Sequence, residues 1–350
     1  MKNKINLIKN SLQKHTCFYI SNPSDIFYLT GFSGTFAKII IGDKKNFFLT
    51  DKRYAGEIKK SEIKSEFEIV IIKNFKKDLK NLLKKFEKIF ASKKITLDEY
   101  LLITQNKKLL FNEKIQEMRM IKTDDEIKKI KEAIKITEKG ILYIAKILKK
   151  GITEKEIAIE FEYFIKKNGA DGLSFSPIVA FNENSAIPHH KTSDKKLTEN
   201  TLILFDTGVK FNGYCSDLTR IIGFCIIKSH LKEIKKFYDI LKDAKNFCLN
   251  FYKNGLPVFK ADKSARTYLK KYKLDNLFLH SLGHGIGIDI HEAPAINSKE
   301  KMKFLNGMVV SCEPGIYFEN KYGLRIEDDY LILKNGIEKL SDLNEEMIII

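Results

Sequence analysis

The sequence is poor in several features, and each shortage excludes a class of protein. It has no apolar run of about 18 residues, so no transmembrane helix is expected, and its first residues contain no apolar segment typical of a signal peptide. Its five cysteines form no Cys-x-x-Cys pair, which argues against a disulfide framework or a zinc knuckle. We therefore expect a cytoplasmic protein without a membrane partner.

Arginine is scarce in a strongly basic chain. The formal net charge of +17 comes from 62 Lys+Arg against 45 Asp+Glu, yet only five of the basic residues are arginine. Proteins that read phosphates rely on arginine forks, whereas lysines scattered beside glutamates are typical of a solvated surface. A nucleic-acid partner is therefore not expected, and a salt-dependent DNA retention test would exclude it.

The residue pattern divides the chain near residue 120. The first third alternates strand-like and helix-like segments, with a hairpin predicted over residues 37–50, and indicates a small α/β domain. Thr123 and Glu126 form a capping box that begins a long amphipathic helix, and a second capping box begins at Thr153. We predict one domain over residues 1–120 and another over residues 121–350.

Two acids lie on the arms of a second predicted hairpin. An apolar strand ends at Asp206, and Asn212-Gly213 is a typical two-residue turn. This turn would place Asp206 opposite Thr219, with Asp217 diagonally beside it on the same face. Two like charges on one face are unfavourable unless a divalent cation lies between them, and two solvent-facing acids are the alternative.

Five of the seven histidines fall in two short segments. His189 and His190 are adjacent, and His280, His284 and His291 lie in a glycine-rich stretch. Glycine allows the backbone to approach a ligand closely. A single histidine is more often structural than a ligand, but a glycine-flanked cluster of three is harder to explain in that way.

Two further acids lie at predicted strand ends. Glu313 precedes a Pro-Gly turn, and Glu327 begins a strand; either one alone would be interpreted as a solvated acid. Together with Asp206, Asp217 and His284 they give four carboxylates and one imidazole, which suit two divalent cations about 3.5–4 Å apart. Such a pair lowers the pKa of a bridging water and polarises a carbonyl, so the set predicts hydrolytic chemistry.

The segments that carry these residues resemble the pita-bread metallopeptidases, most closely the Xaa-Pro dipeptidase (prolidase) and Xaa-Pro aminopeptidase branch. The segments are residues 174–180, 184–189, 206–208, 212–220, 280–287, 291–294, 313–315 and 325–328. Residues 22–31 and 50–54 resemble the N-terminal domain of that branch. The resemblance covers nearly the whole chain. It implies an α+β fold, with a C-terminal pita-bread (creatinase/aminopeptidase) domain and a smaller α/β creatinase-like N-terminal domain.

The same resemblance implies a metal-binding role for five residues. Asp206 would bind one metal ion, and Asp217 and Glu327 would bridge both. His284 and Glu313 would complete the other site, and Glu313 would also take a proton from the bridging water or hydroxide. Manganese is the implied metal, which agrees with the oxygen-rich ligand set, and cobalt and zinc are alternatives.

Five other positions also have implied roles. His189, His280 and His291 match histidines that bind the substrate and the reaction intermediate. Arg325 and Tyr317 match positions that orient the metal ligands. The resemblance further implies a homodimer.

The implied activity is hydrolysis of the Xaa-Pro bond at the N-terminus of peptides or in dipeptides by a metal-dependent exopeptidase. That bond is a tertiary amide without an N–H, and the ring fixes φ, so general peptidases handle it poorly. The alternatives are a non-catalytic pita-bread binding module, a related aminopeptidase without proline specificity, and an enzyme of the same fold that acts on a small molecule. Departures from the family pattern at Asn182, Glu183, Thr192 and Leu279 leave the choice between dipeptides and longer peptides open.

Overall fold

The computed structural model describes residues 1–350 and divides them into two compact units, Met1–Arg119 and Met120–Ile350. Each unit buries its own cluster of apolar side chains. None of the helices combines the length and the apolar character that crossing a membrane would require.

The first unit is built on one six-stranded mixed sheet. Its strands are β1 (Thr16–Ile20), β2 (Ala37–Gly42), β3 (Asn46–Thr50), β4 (Glu68–Ile71), β5 (Lys88–Ala91) and β6 (Lys108–Phe111), in the order β4-β3-β2-β1-β5-β6. Its helices are α1 (Lys2–Lys9), α2 (Pro23–Thr30), α3 (Ala55–Lys60), α4 (Ile63–Glu66), α5 (Phe75–Leu83), α6 (Leu97–Thr104) and α7 (Lys114–Met120). The antiparallel pairing of β2 with β3 confirms the hairpin predicted over residues 37–50.

The second unit combines four long helices with several short sheets. Its helices are α8 (Asp124–Ile147), α9 (Glu154–Lys167), α10 (Lys228–Leu249) and α11 (Phe259–Lys270). Its strands are β7 (Gly172–Leu173), β8 (Ile178–Phe181), β9 (Thr201–Thr207), β10 (Val209–Phe211), β11 (Tyr214–Cys215), β12 (Leu218–Phe224), β13 (Gly283–Gly285), β14 (Glu292–Ile296), β15 (Val309–Cys312), β16 (Gly315–Phe318), β17 (Tyr322–Arg325), β18 (Asp328–Leu333), β19 (Gly336–Lys339) and β20 (Ile348–Ile349).

Both predicted capping boxes begin helices of the second unit. At the start of α8, the hydroxyl of Thr123 accepts the backbone N–H of Glu126, and the Glu126 side chain accepts the backbone N–H of Thr123. Thr153 and Glu156 form the same pair of bonds at the start of α9. These bonds satisfy amide groups that have no partner inside the helix. At Gly140, α8 lacks a side chain where an added Cβ would lie 2.5 Å from the ring of Phe161, so the two helices pack closely there.

Two sheets supply most of the candidate site, and their strand pairs are antiparallel except for the parallel pair of β12 with β20. One has the order β20-β12-β9-β8, and the other has the order β14-β13-β15-β18-β19. Thr219 on β12 forms an isolated bridge with Glu327, which lies between β17 and β18. This bridge brings the acids of the two sheets next to each other.

Candidate functional site

A cavity of about 660 Å³ in the second unit collects nearly all of the residues singled out from the sequence. The predicted metal ligands that line it are Asp206, Asp217, His284, Glu313 and Glu327. His189, His280, His291 and Arg325 line it as well. Tyr317 is buried, and its hydroxyl contacts two of these lining residues, His280 and Arg325.

The hairpin acids have the register expected from their turn. Asp206 on β9 pairs with Thr219 on β12, as predicted. Asn212 and Gly213 both have positive φ, at 47° and 79°, which the tight turn requires and which Asn and Gly tolerate best. Asp217, just before β12, donates its backbone N–H to Oδ2 of Asp329 over 3.0 Å. The turn sets the hairpin register, and the long-range contact with Asp329 holds Asp217 at the cavity wall.

Asp217, His284 and Glu327 form the tightest group in the cavity. One ligand atom of each lies within 4.8 Å of those of the other two. Nε2 of His284 is 3.6 Å from Oδ2 of Asp217 and 3.4 Å from Oε1 of Glu313, so a third carboxylate borders the group. Each of these side chains comes from a different segment of the two sheets.

His284 presents a neutral nitrogen to the carboxylates. Its Nδ1 lies 3.2 Å from the carbonyl oxygen of Gly285, which can only accept, so this bond assigns the ring hydrogen to Nδ1. Burial, followed by the nearby His291, lowers the pKa of His284 to about 4. The lone pair on Nε2 is therefore free to bind a metal ion at neutral pH.

The carboxylates of the cavity have too few positive charges and hydrogen-bond donors around them to balance their burial. Burial and then the charge of Glu327 raise the pKa of Asp217 well above its usual range, and burial raises that of Glu313 to about 8. Oδ1 of Asp206, Oδ1 of Asp217 and Oε1 of Glu327 are buried without any hydrogen-bond partner. Buried polar atoms are nearly always satisfied, so these three oxygens fit ligands of divalent cations.

Arg325 links Asp206 to His280 through Tyr317. Its Nη2 donates to Oδ2 of Asp206 over 2.5 Å, and its Nη1 donates to the hydroxyl oxygen of Tyr317 over 2.8 Å. That hydroxyl lies 2.8 Å from Nε2 of His280. Burial, followed by the charge of Arg325, lowers the pKa of His280 to about 3, so the ring is neutral. The chain of bonds fixes Asp206 and His280 in one rigid arrangement.

The remaining histidines occupy other parts of the cavity wall. The ring of His291 lies edge-on to that of His284, with centroids 4.3 Å apart. Burial and then the neighbouring His189 lower the pKa of His291. His189 is exposed at the wall, and His190 beside it also lines the cavity.

Sequence reasoning missed three residues that hold the site from behind. The Thr219 hydroxyl donates to Oε2 of Glu327 over 2.7 Å, and Asp329 accepts the backbone N–H of Asp217. Glu154 is fully buried and bonds to His190. The predicted pairing of Asp206 with Thr219 was a signal for the first of these, whereas no sequence pattern pointed to the other two.

Family profiles match most of the chain. The profile of metallopeptidase family M24 matches residues 128–334, and that of the creatinase/prolidase N-terminal domain matches residues 11–130. The two matches agree with the predicted fold class, which places a pita-bread domain after a smaller creatinase-like domain.

Individual relatives are similar over nearly their full length. The Xaa-Pro dipeptidase of Pyrococcus furiosus is 32% identical over 338 residues, which cover 94% of this chain and 94% of that protein. The solved Xaa-Pro dipeptidase from Bacillus anthracis has a TM-score of 0.92 at 31% identity and covers 100% of this chain and 99% of its own. The solved X-Pro aminopeptidase from Thermotoga maritima MSB8 has a TM-score of 0.87 at 32% identity and covers 96% of this chain and 97% of its own. These likenesses confirm the predicted fold class.

Proposed function

The chain belongs to metallopeptidase family M24, and we propose that it is a metal-dependent exopeptidase that hydrolyses the Xaa-Pro bond at the N-terminus of peptides or in dipeptides. The observation that carries the proposal is the set of three buried carboxylate oxygens without partners, on Asp206, Asp217 and Glu327, in a cavity that also holds His284. The names of the similar Xaa-Pro dipeptidases and X-Pro aminopeptidase support the substrate class.

Five side chains would hold the two divalent cations. We assign Asp206 to one cation, Asp217 and Glu327 to both, and His284 and Glu313 to the other. When bound, the cations would lower the pKa of a water molecule and polarise the scissile carbonyl. Manganese suits this oxygen-rich ligand set, and cobalt and zinc are alternatives.

Glu313 is the residue we propose to move the proton. Its Oε1 lies 3.4 Å from Nε2 of His284, and its Oε2 lies 3.8 Å from Nδ1 of His280. With two cations bound, this carboxyl would be ionised, and an ionised carboxylate beside the attacking water is a general base. Such a group can accept the proton of the attacking water and pass it to the proline nitrogen as that nitrogen leaves.

Three histidines would hold the peptide around the scissile bond. His280 is fixed by the Tyr317 hydroxyl, and His189 and His291 lie at the open part of the wall. An imidazole N–H in this position can stabilise the negative charge that develops on the carbonyl oxygen. We assign His189, His280 and His291 to this role, and Arg325 and Tyr317 to its support.

Apolar residues on the same wall support a preference for proline. Phe175, Ile178 and Ile290 line the cavity alongside the histidines. A proline ring is apolar, and the amide nitrogen that it encloses donates no hydrogen bond. An apolar wall accepts such a ring without leaving a polar group unsatisfied, whereas it offers no partner to an ordinary amide N–H.

The test is hydrolysis of Ala-Pro, Ala-Pro-Ala and Ala-Ala by the protein loaded with manganese, with a chelator control. Chelator-sensitive cleavage of Ala-Pro or Ala-Pro-Ala supports the proposal, and their ratio separates a dipeptidase from an aminopeptidase. Cleavage of Ala-Ala alone would overturn the proline preference and favour the related aminopeptidase. No cleavage of any peptide by protein with two bound cations would overturn the enzyme and favour a binding module.

Three further properties complete the proposal. We propose a cytoplasmic location, which the five free cysteine thiols support. We propose a homodimer, to be measured by light scattering. We also propose a domain boundary at residues 120/121, which the separate compact units support.

A further inference from the structure

Glu154 is a buried carboxylate that five hydrogen bonds surround. It is the first residue of α9 and has no exposed surface. Its Oε1 accepts from the backbone N–H of Phe181 and from Nδ2 of Asn184, both over 2.8 Å. Its Oε2 accepts from the backbone N–H of Ser193 over 2.9 Å and from the Ser193 hydroxyl over 2.6 Å. The fifth partner is Nε2 of His190, 2.9 Å from Oε2.

These five partners all belong to one segment, residues 181–193, which borders the cavity. The segment carries His189 and His190, and both line the cavity wall. On its other side, the Ser185 hydroxyl accepts the backbone N–H of Gly323 over 2.8 Å. Glu154 bonds to both ends of the segment, at Phe181 and at Ser193, so one side chain closes it into a fixed loop.

The chemistry of the five partners requires a carboxylate. The backbone N–H groups of Phe181 and Ser193, the Asn184 amide and the Ser193 hydroxyl donate to Glu154, and an ionised carboxylate is the side chain that only accepts. Burial alone would raise the pKa of Glu154, but the hydrogen bonds from Ser193, His190 and Asn184 hold it below its usual value. Glu154 is therefore charged at neutral pH, and the bond assigns the ring hydrogen of His190 to Nε2. Nδ1 is then the nitrogen of His190 that remains for a ligand.

We propose that Glu154 is a positioning residue that fixes residues 181–193 and aims His190 at the peptide, which makes His190 a further peptide-contacting residue of the site. The proposal rests on the peptidase function proposed above. His190 is well placed for this role because its side chain is 10% exposed and lies on the cavity wall, while its partner Glu154 is fully enclosed. A carboxylate–imidazole pair of this kind sets both the ring orientation and the tautomer.

The first test compares two variants in the same helical turn. Glu154→Gln places an amide N–H₂ group against donors, whereas Glu156→Gln removes an equal charge from the exposed capping box of the same helix. We expect kcat/KM for Ala-Pro-Ala to fall by about 10-fold to 100-fold in Glu154→Gln, since a shift of about 1 Å in a reacting geometry has this effect. Glu156→Gln should stay within about two-fold of the wild type, and both should bind two manganese ions.

The second test separates positioning from a general structural role. If Glu154 acts through His190, the double variant Glu154→Gln/His190→Ala should be no slower than His190→Ala alone. If the losses of log kcat/KM in the two single variants add up in the double variant, the proposal is overturned. If Glu154→Gln does not fold, Ser193→Ala takes its place in the comparison with His190→Ala. Ser193→Ala removes only one of the five hydrogen bonds, so we expect a smaller loss of kcat/KM.

The third test does not depend on activity. Hydrogen exchange of residues 181–193 in the metal-free protein should be faster in Glu154→Gln than in the wild type and unchanged in Glu156→Gln. Unchanged exchange in Glu154→Gln would overturn the proposal even in an active enzyme. If the wild-type protein cleaves no peptide, the proposed function is refuted, and with it the contact of His190 with a peptide. Faster exchange in Glu154→Gln would then support only the role of Glu154 in fixing residues 181–193.

Discussion

Thr219 donates its hydroxyl hydrogen to Oε2 of Glu327 over 2.7 Å, while Oε1 of the same carboxylate is buried without a partner. The Thr219 oxygen also accepts from Nε of Arg325 over 3.1 Å, and Arg325 in turn binds Asp206. One hydroxyl therefore orients Glu327 directly and Asp206 through the guanidinium. It leaves one oxygen of each carboxylate free to bind a cation.

Replacing Thr219 by valine should weaken metal binding. Valine has nearly the same shape but no hydroxyl, so Glu327 loses the bond that orients it. We expect the affinity for manganese to fall by about 10-fold to 100-fold, as is typical when the support of a metal ligand is removed. Calorimetric titration measures the change, and Thr219→Ser, which keeps the hydroxyl, is the matched control. Equal affinities of the two variants would contradict this role of the hydroxyl.

A buried ion cluster lies directly behind Glu327. Lys245 and Asp328 are both fully buried and in contact, and Nη2 of Arg220 donates to Oδ1 of Asp328 over 2.6 Å. Burial would raise the pKa of Asp328, but the charges of Lys245 and Arg220 hold it well below its usual range. Because the folded-state pKa is depressed, this stabilisation is present at neutral pH and is lost as the pH falls below about 3.9.

Removing one cation from this cluster should destabilise the protein. Lys245→Met leaves Asp328 with less compensation in a buried place, and we expect the free energy of unfolding to fall by about 3 kcal/mol. Lys242→Met is the matched control on the same helix, because Lys242 pairs with Glu346 at the surface and should lose less than about 1 kcal/mol. Urea denaturation at neutral pH measures both, and equal losses would refute the importance of burial.

The sequence predicted those parts of the site whose geometry is local. The Asn212-Gly213 turn was sufficient to pair Asp206 with Thr219, because a two-residue turn sets the register of both strands. The capping box at Thr123 was sufficient to predict the start of α8, because its hydrogen bonds join residues only three positions apart. Comparison with known families then confirmed the fold class that the motif order had suggested.

Contacts between distant segments were beyond that reasoning. Asp329 accepts from the backbone of Asp217 across 112 positions, and Glu154 bonds to Ser193 across 39. The interpretation of the lysines as a solvated surface is wrong for Lys245, which has no exposed surface. Nothing in its local sequence differs from that of exposed lysines, since its burial follows from the place of Asp328 in the sheet behind the site.

Two helical glycines should respond to alanine in opposite directions. At Gly140 an added Cβ would lie 2.5 Å from the ring of Phe161, whereas at Gly56 it would meet nothing within 4 Å. Gly140→Ala should lower the free energy of unfolding by about 1–3 kcal/mol through overpacking between α8 and α9. Gly56→Ala should raise it by up to about 1 kcal/mol, because alanine favours the helix. Denaturant titrations measure both signs, and stabilisation by Gly140→Ala would show that the two helices have room to separate.

In the metal-free protein, the carboxyl groups of the cavity should contribute less to stability as the pH rises. Burial raises the pKa of Glu313 to about 8, and burial with neighbouring charges also raises those of Asp217 and Glu327. The folded metal-free protein then holds protons that the unfolded chain has already released above about pH 4.5. The contribution of these three groups to the free energy of unfolding should therefore be greatest below about pH 4.5 and fall as the pH rises towards about 8.

For Glu313 alone the fall approaches about 5 kcal/mol, since each pKa unit corresponds to about 1.4 kcal/mol. Urea denaturation of chelator-treated protein between about pH 5 and pH 8 measures it. In the manganese-loaded protein the cations take the place of the protons, so the same range should show a flat or rising stability. A metal-free protein whose stability rises with pH over this range would show that the carboxylates are already ionised without metal, and that the cavity does not depend on cations for its charge balance.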